Sequence, residues 1–279
     1  MRNIVAFFVA VAVAALLASQ AARANAAYPW LNGLPPSRTL AEAIAPPPEF
    51  ERAHAPPGSF AAWLRGLPLK PEGTPVRLYN GSDKFRQDVH VAVIDIDVGS
   101  KDLQQCADAI MRLRAEWLRA EGRAGEIGFN YTGGGRVTWV RWSRGERPTS
   151  DGKRWSRRAK ADGSYAAFRR YLEQVFIYAG SYSLEREAKP APLEAMQIGD
   201  VFIEGGFPGH AVLVADMAVN PQTGEKRFLL LQSFMPAQDI HVLKNPRDPD
   251  GSPWYPLDFA GDLVTPEWTF ARNSLRRWP

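Results

Sequence analysis

The sequence of 279 residues is poor in the residue types that most often carry chemistry, with one cysteine and four histidines. A single cysteine cannot form an internal disulfide, so Cys106 is either a buried small residue or a reactive thiol. The net charge of +4 is too small to indicate a nucleic-acid partner. After the N-terminal stretch, no hydrophobic run has the length that a membrane-spanning helix needs.

The first 26 residues have the features of an export signal. Arg2 supplies a positive start, residues 4–17 are an unbroken apolar run, and Ala24-Asn25-Ala26 provides small residues at a cleavage site. We expect cleavage before Ala27, which would leave a periplasmic or secreted protein without a stable membrane anchor.

The remainder predicts an N-terminal arm followed by one α+β domain. Residues 27–58 are rich in proline and alanine, which favours a partly ordered or wrapping arm, and residues 59–279 form the domain. Apolar spacing predicts helices over 59–67, 102–119 and 165–179, and strands over 76–79, 89–96, 137–142, 200–203, 210–217 and 228–234. We expect residues 144–160 to form a surface loop and residues 236–279 to wrap over the sheet.

Three residues have the types and the order that a cysteine hydrolase requires. Cys106 falls in the first turn of the helix over 102–119, where the helix dipole favours a thiolate. His210 opens a strand directly after Pro208-Gly209, and Gln232 lies on the following strand. The Gln232 carbonyl could accept a hydrogen bond from the imidazole and fix its tautomer.

Two other residues compete for a place in this site. Asp216 lies six residues after His210, on the same face of a regular strand, and is an alternative partner for the ring. His90 begins the strand over 89–96 and is either a supporting or a core histidine. His90 and Asp95 would diverge across their strand, so we expect neither a metal nor a cofactor.

The local sequence around these residues resembles papain-like and NlpC-type cysteine hydrolases. Gly209-His210-Ala211-Val212, preceded by Ile198-Gly199-Asp200-Val201, is similar to the histidine strand of those enzymes, and Leu230-Leu231-Gln232-Ser233-Phe234 is similar to the papain strand that carries asparagine. The resemblance implies a papain-like fold with Cys106 as nucleophile, His210 as base and Gln232 as orienting amide. For the oxyanion hole it suggests Gln104 or Gln105, together with the Cys106 backbone N–H.

A closer resemblance covers nearly the whole chain after residue 26, to the uncharacterised bacterial family DUF4846. It is carried by the segments Asp102–Asp108, Pro208–Val212, Gln232–Gln238 and Ser252–Tyr255. This resemblance implies relatives but no reaction.

Two hypotheses for the function follow. The first is an exported thiol hydrolase of amide bonds, with peptide or peptidoglycan-like material as substrate. The second is a non-catalytic envelope module that binds a glycan or a protein through the tryptophans and cations between residues 139 and 158.

Overall fold

The computed structural model describes residues 27–278, so the predicted export signal lies outside the described residues. The described part contains six α-helices: α1 (Leu40–Ala43), α2 (Phe60–Arg65), α3 (Cys106–Ala120), α4 (Trp139–Ser143), α5 (Tyr165–Tyr178) and α6 (Ser181–Glu187). None of the helices in this range is long and apolar enough to cross a membrane.

The strands are short, except for two in the centre of the main sheet. In chain order they are β1 (Glu51–Arg52), β2 (His90–Val93), β3 (Gly128–Asn130), β4 (Arg136–Thr138), β5 (Glu146–Pro148), β6 (Trp155–Arg157), β7 (Lys189–Pro190), β8 (Val201–Glu204), β9 (His210–Val219), β10 (Lys226–Gln232), β11 (His241–Leu243), β12 (Tyr255–Pro256), β13 (Leu263–Val264), β14 (Thr269–Phe270) and β15 (Leu275–Arg277). The fold is therefore a mixture of helices and antiparallel sheet, as expected.

The main sheet has nine antiparallel strands, with β9 and β10 at its centre. The path runs β2-β11-β10-β9-β8-β15-β7, while β1 joins β9 and β12 joins β10. The hairpin of β9 and β10 has the predicted connection over residues 220–224. This hairpin forms the framework on which the candidate residues lie.

The two faces of the sheet are covered differently. On one face, Ala211 and Leu213 of β9 pack in a cluster with α3 and α5. On the other face, Val212 and Val214 pack against the C-terminal segment, including Phe270 of β14. Alternation of side chains along β9 thus separates a helical layer from a C-terminal layer. The prediction that residues 236–279 wrap over the sheet holds for the segment with Phe259, Leu263 and Phe270, whereas β11 and β15 are strands of the main sheet itself.

The N-terminal arm is held on the sheet. Glu51 and Arg52 pair with β9, and the short helix α1 is capped by Thr39, whose hydroxyl accepts from the Glu42 N–H. The predicted helix over 59–67 is present as α2, with Ser59 as its cap.

Three predicted elements differ in the structure. Residues 76–79 make only isolated bridges, so the predicted strand there is wrong. The strand over 137–142 ends at Thr138 and becomes α4, in which Trp139 and Trp142 lie one turn apart and are both buried. The expected surface loop over 144–160 contains the β5–β6 hairpin.

Candidate active site

Cys106 is the first residue of α3, at the end of the helix that meets β9. Its sulfur lies 3.9 Å from the carbonyl oxygen of Gly209. The thiol is 6% exposed and forms part of the wall of a cavity of 230 Å³, together with the loop over 206–209 and Met235. Cys106 is therefore buried against protein and yet borders a space that a substrate group could enter.

The environment of the thiol favours its neutral form. Burial raises the pKa of Cys106 to about 12, and Asp108 adds to this rise, while the backbone N–H groups of Ala107 and Ala211 act in the opposite direction. The N–H groups at the start of the helix do act to lower the pKa of this thiol, as expected, but the loss of solvation exceeds their effect and the net pKa is raised.

The predicted start of α3 also needs correction. The helix predicted over 102–119 begins only at Cys106, with Gln105 as its N-cap residue, and the Gln105 backbone N–H donates to the Asp108 carboxylate at 3.1 Å. Asp102 instead accepts from the Gln105 side chain and from the Ala237 backbone N–H. The helix begins at Cys106 itself, so the thiol lies among the unpaired N–H groups of the first turn.

His210 and Gln232 are brought together by the β9–β10 hairpin. The register pairs Leu213 with Leu231, so Gln232 approaches the ring diagonally from the neighbouring strand. The His210 Nε2 and the Gln232 Oε1 are 2.9 Å apart. Phe234, Trp268 and Phe270 enclose the imidazole, with ring centroids 4.8 to 5.6 Å from it.

Burial also keeps this histidine neutral. Desolvation lowers the pKa of His210 to about 4, although the hydrogen bond to Gln232 acts to raise it. The Nδ1 atom of His210 is buried and has no hydrogen-bond partner within residues 27–278. One ring nitrogen is therefore held by the amide, and the other is free.

The Cys106 thiol and the His210 imidazole lie on opposite faces of the sheet, both at the start of β9. Ala211 packs in the helix-side cluster with Cys106, whereas the ring of His210 stacks on Phe270 in the C-terminal layer. No hydrogen bond joins the Cys106 sulfur to the His210 ring in the part of the chain described. The two residues are linked through Gly209, whose carbonyl contacts the sulfur and which directly precedes His210.

Close packing around residue 209 leaves room only for glycine. A Cβ atom at this position would collide with the Ser181 hydroxyl and would lie 2.6 Å from the Glu204 carbonyl oxygen. The glycine thus lets the loop before β9 pack against α6 and β8, which fixes the carbonyl next to Cys106.

The two competing residues lie outside the Cys106–His210 region. Asp216 is fully buried and binds Arg52 and Arg65 at 2.8 and 2.7 Å. A register shift between Leu229 and Leu230 breaks the alternation that would have placed Asp216 on the face of His210. His90 is half-buried; its Nε2 lies 3.4 Å from the Thr74 carbonyl oxygen, and its ring contacts His241 rather than His210.

The two glutamines before the cysteine differ in position. Gln104 is buried, its side-chain carbonyl accepts from Arg112 at 2.6 Å, and the residue is not part of the cavity wall, so the structure does not bring it to the thiol side of the site. Gln105 does border the cavity, and its amide donates to Asp102 at 3.0 Å. The backbone N–H of Cys106 remains the other predicted donor.

The sequence did not point to Lys84 and Glu267, which complete the polar cluster behind His210. The Glu267 carboxylate accepts from the Gln232 amide at 2.8 Å and binds Lys84 at 2.7 Å. Both side chains are almost buried, at 7% and 9% exposure. No periodic pattern marks either residue, because Lys84 and Glu267 lie in irregular segments far from Gln232 in sequence.

The aromatic residues between 139 and 158 are used for packing. Trp139 and Trp142 are buried, and Arg147 and Arg141 lie over Trp142 and Trp155, 3.9 and 4.3 Å from the ring centroids. Trp139 and Trp142 are therefore not available at the surface for the glycan binding that the second hypothesis assigns to this segment. In residues 27–278 no three His, Cys, Asp or Glu side chains are grouped so that they could hold a metal ion.

Comparison with known proteins relates the chain to a protein family. The model of the family described as "Domain of unknown function (4846)", DUF4846, matches residues 40–277. Neither the curated proteins nor the solved structures contain a significant match. The match covers both strands of the central hairpin, α3 and the C-terminal layer, and the chain therefore belongs to the DUF4846 family.

Proposed function

We propose that this protein is an exported thiol hydrolase with a papain-like or NlpC-like arrangement, and that it cleaves amide bonds with Cys106, His210 and Gln232. The observation that carries the proposal is the 2.9 Å hydrogen bond between His210 Nε2 and Gln232 Oε1, which leaves the other ring nitrogen without a partner in the described chain. A general base requires a bare nitrogen of this kind close to its nucleophile.

The reaction begins from a neutral thiol and a neutral imidazole. The Cys106 sulfur attacks the amide carbonyl carbon while its proton passes to His210 Nδ1. The imidazolium then gives this proton to the leaving nitrogen, which releases an amine and leaves a thioester on Cys106. Water attacks the thioester, His210 takes its proton and returns it to the sulfur, and a carboxylic acid leaves.

These reaction steps require the Cys106 sulfur and the His210 Nδ1 to approach each other when substrate binds. Because the thiol packs in the helical layer and the imidazole in the C-terminal layer, this approach requires the loop over 206–209 or the His210 ring to move. Catalytic hydrogen bonds that are long or poorly aligned in a free enzyme commonly tighten in the substrate complex. We assign the stabilisation of the developing oxyanion to the backbone N–H groups of Cys106 and Ala107 at the start of α3, which act to lower the pKa of the thiol.

The rim of the cavity favours substrates with an apolar group beside the scissile bond. Phe207 and Met235 border the cavity and are 85% and 38% exposed, and Tyr182 packs beside Phe207 with a centroid distance of 6.1 Å. A cell-wall peptide remains the proposed natural substrate, and the rim predicts that its apolar side chains contact Phe207.

The test is cleavage of purified sacculi and of peptide amides, with mass spectrometry of the released fragments. Cys106→Ala should lower the rate by ~10⁴-fold or more, because nucleophile and base act as a unit. The variant should unfold at nearly the same temperature as the wild type, since the substitution removes one small buried atom. His54→Asn, on an exposed residue of the N-terminal arm, is the matched control and should retain activity.

Two outcomes would contradict the hydrolase. Cleavage that persists in Cys106→Ala would exclude the thiol as nucleophile. Retention on sacculi by both the wild type and Cys106→Ala, with no released fragments from either, would favour the non-catalytic binding module.

A further inference from the structure

The buried ion pair behind Gln232 has no part in the reaction described above. Lys84 and Glu267 are 2.7 Å apart and almost completely shielded from water. Removing two charges from water is costly, and a buried pair of this kind often stabilises a fold no better than apolar side chains would. The position of the pair against Gln232 suggests what else it does.

The ion pair determines which way the Gln232 amide points. A carboxylate that binds a lysine can only accept hydrogen bonds, so the group 2.8 Å from Glu267 must be the NH₂ of Gln232. The other end of the amide, the carbonyl oxygen, must then face His210.

His241 provides an independent check of this orientation. Its Nδ1 lies 2.9 Å from the Asp239 carbonyl oxygen, which only accepts, so Nδ1 carries the proton and Nε2 is bare. That bare Nε2 lies 3.4 Å from the Gln232 nitrogen. Both protons of the amide group therefore have acceptors, one on Glu267 and one on His241.

The orientation of the amide fixes the tautomer of His210. The Gln232 oxygen accepts from Nε2 at 2.9 Å, so the single proton of the neutral imidazole is on Nε2. The lone pair is left on Nδ1, the nitrogen that has no partner among the described residues.

We infer that Glu267 and Lys84 are positioning residues that hold His210 in its Nε2-protonated tautomer by orienting the Gln232 amide. The use of that tautomer as a base depends on the proposed hydrolase function. The tautomer itself does not, and it can be measured in an inactive protein.

The experiment is nitrogen-15 NMR of the full chain labelled at its four histidines, because protonated and bare ring nitrogens have well separated shifts. Wild-type His210 should show a proton on Nε2 only. In Glu267→Gln, residue 267 can donate as well as accept, so the Gln232 amide can turn over and a fraction of His210 should carry its proton on Nδ1.

A second variant controls for any misfolding that an unpaired buried lysine would cause in Glu267→Gln. Lys84→Met/Glu267→Gln removes both charges and should show the same change of tautomer. Lys101→Met/Glu173→Gln makes the same substitutions in a more exposed pair at 2.8 Å and should leave the His210 signals unchanged.

On a cleaved amide substrate, both Glu267 variants should lower kcat by about tenfold or more with little change in KM, since the base is misprotonated while binding is intact. A His210 that stays wholly Nε2-protonated in both variants would overturn the inference, as would a wild type protonated on Nδ1. A wild type with the expected tautomer and no amide cleavage would instead count against the proposed function alone.

Discussion

The two faces of the central sheet bring different chemistry to the start of β9. The helical face supplies a thiol whose neutral form is favoured by burial, whereas the C-terminal face supplies an imidazole held by an amide and a buried ion pair. In the proposed hydrolase, the fold would thus prepare the orientation of the base rather than the charge of the nucleophile. The thiolate would then form only when its proton can pass to His210.

The largest effect that separates the two faces is the pH dependence of Cys106 alkylation. Because burial raises the pKa of Cys106 to about 12, the thiolate fraction of the folded protein grows about tenfold per pH unit. We expect the iodoacetamide rate to rise ~10²-fold between pH 7 and pH 9, measured by mass spectrometry of the intact chain.

The unfolded chain is the control for this measurement. In urea the rate should level off above roughly pH 8.5, the ordinary pKa of a cysteine. A plateau near neutral pH in the folded protein would show a preformed thiolate and would reverse the comparison between the faces.

A second, smaller effect concerns the imidazoles of the C-terminal face. Desolvation lowers the pKa of His241 to about 3 from 6.5, so the unfolded state binds a proton first as the pH falls. The contribution of neutral His241 to stability is complete above pH 6.5 and is lost progressively below it, down to the folded pKa.

The measurement is urea unfolding of wild type and His241→Asn at pH 7.5 and pH 5. The difference in the free energy of unfolding between the two proteins should shift by ~2 kcal/mol against the wild type over this range. The same comparison with His54→Asn, an exposed site, should show no such shift. An unchanged difference for His241→Asn would mean that this ring is not held neutral by the fold.

Local sequence patterns were sufficient for the elements that carry the candidate residues Cys106, His210 and Gln232. The spacing of apolar residues predicted α3 and α5, and β-rich runs around a turn predicted the β9–β10 hairpin with His210 and Gln232 on adjacent strands. These features depend on neighbours within a few positions, which a single sequence records directly.

The features that the sequence could not reveal depend on distant segments. Glu267 reaches Gln232 from 35 residues away, and Lys84 comes from the opposite end of the domain. Asp216 lies on a different face of the strand from the one expected because of a bulge, which no residue pattern in β9 indicates. The net direction of the Cys106 pKa depends on how deeply α3 packs against the sheet, and burial of that kind is a property of the whole fold.

The smallest expected effect tests whether the apolar rim on the helical side selects what reaches Cys106. An N-benzyl chloroacetamide can place its ring against Phe207, whereas chloroacetamide itself cannot, so we expect wild type to react about tenfold faster with the benzyl reagent after correction for intrinsic reactivity. Burial of part of an aromatic ring accounts for a difference of this size.

Phe207→Ala should reduce that preference to about twofold, and Phe85→Ala, which removes a fully exposed phenyl group that does not border the cavity, should keep it. Because both reagents modify the thiol directly, the preference is measured without any turnover. Equal rates for both reagents in wild type would show that the rim does not contact the acyl substituent, and the polar C-terminal face would then be the more important of the two faces in choosing substrates.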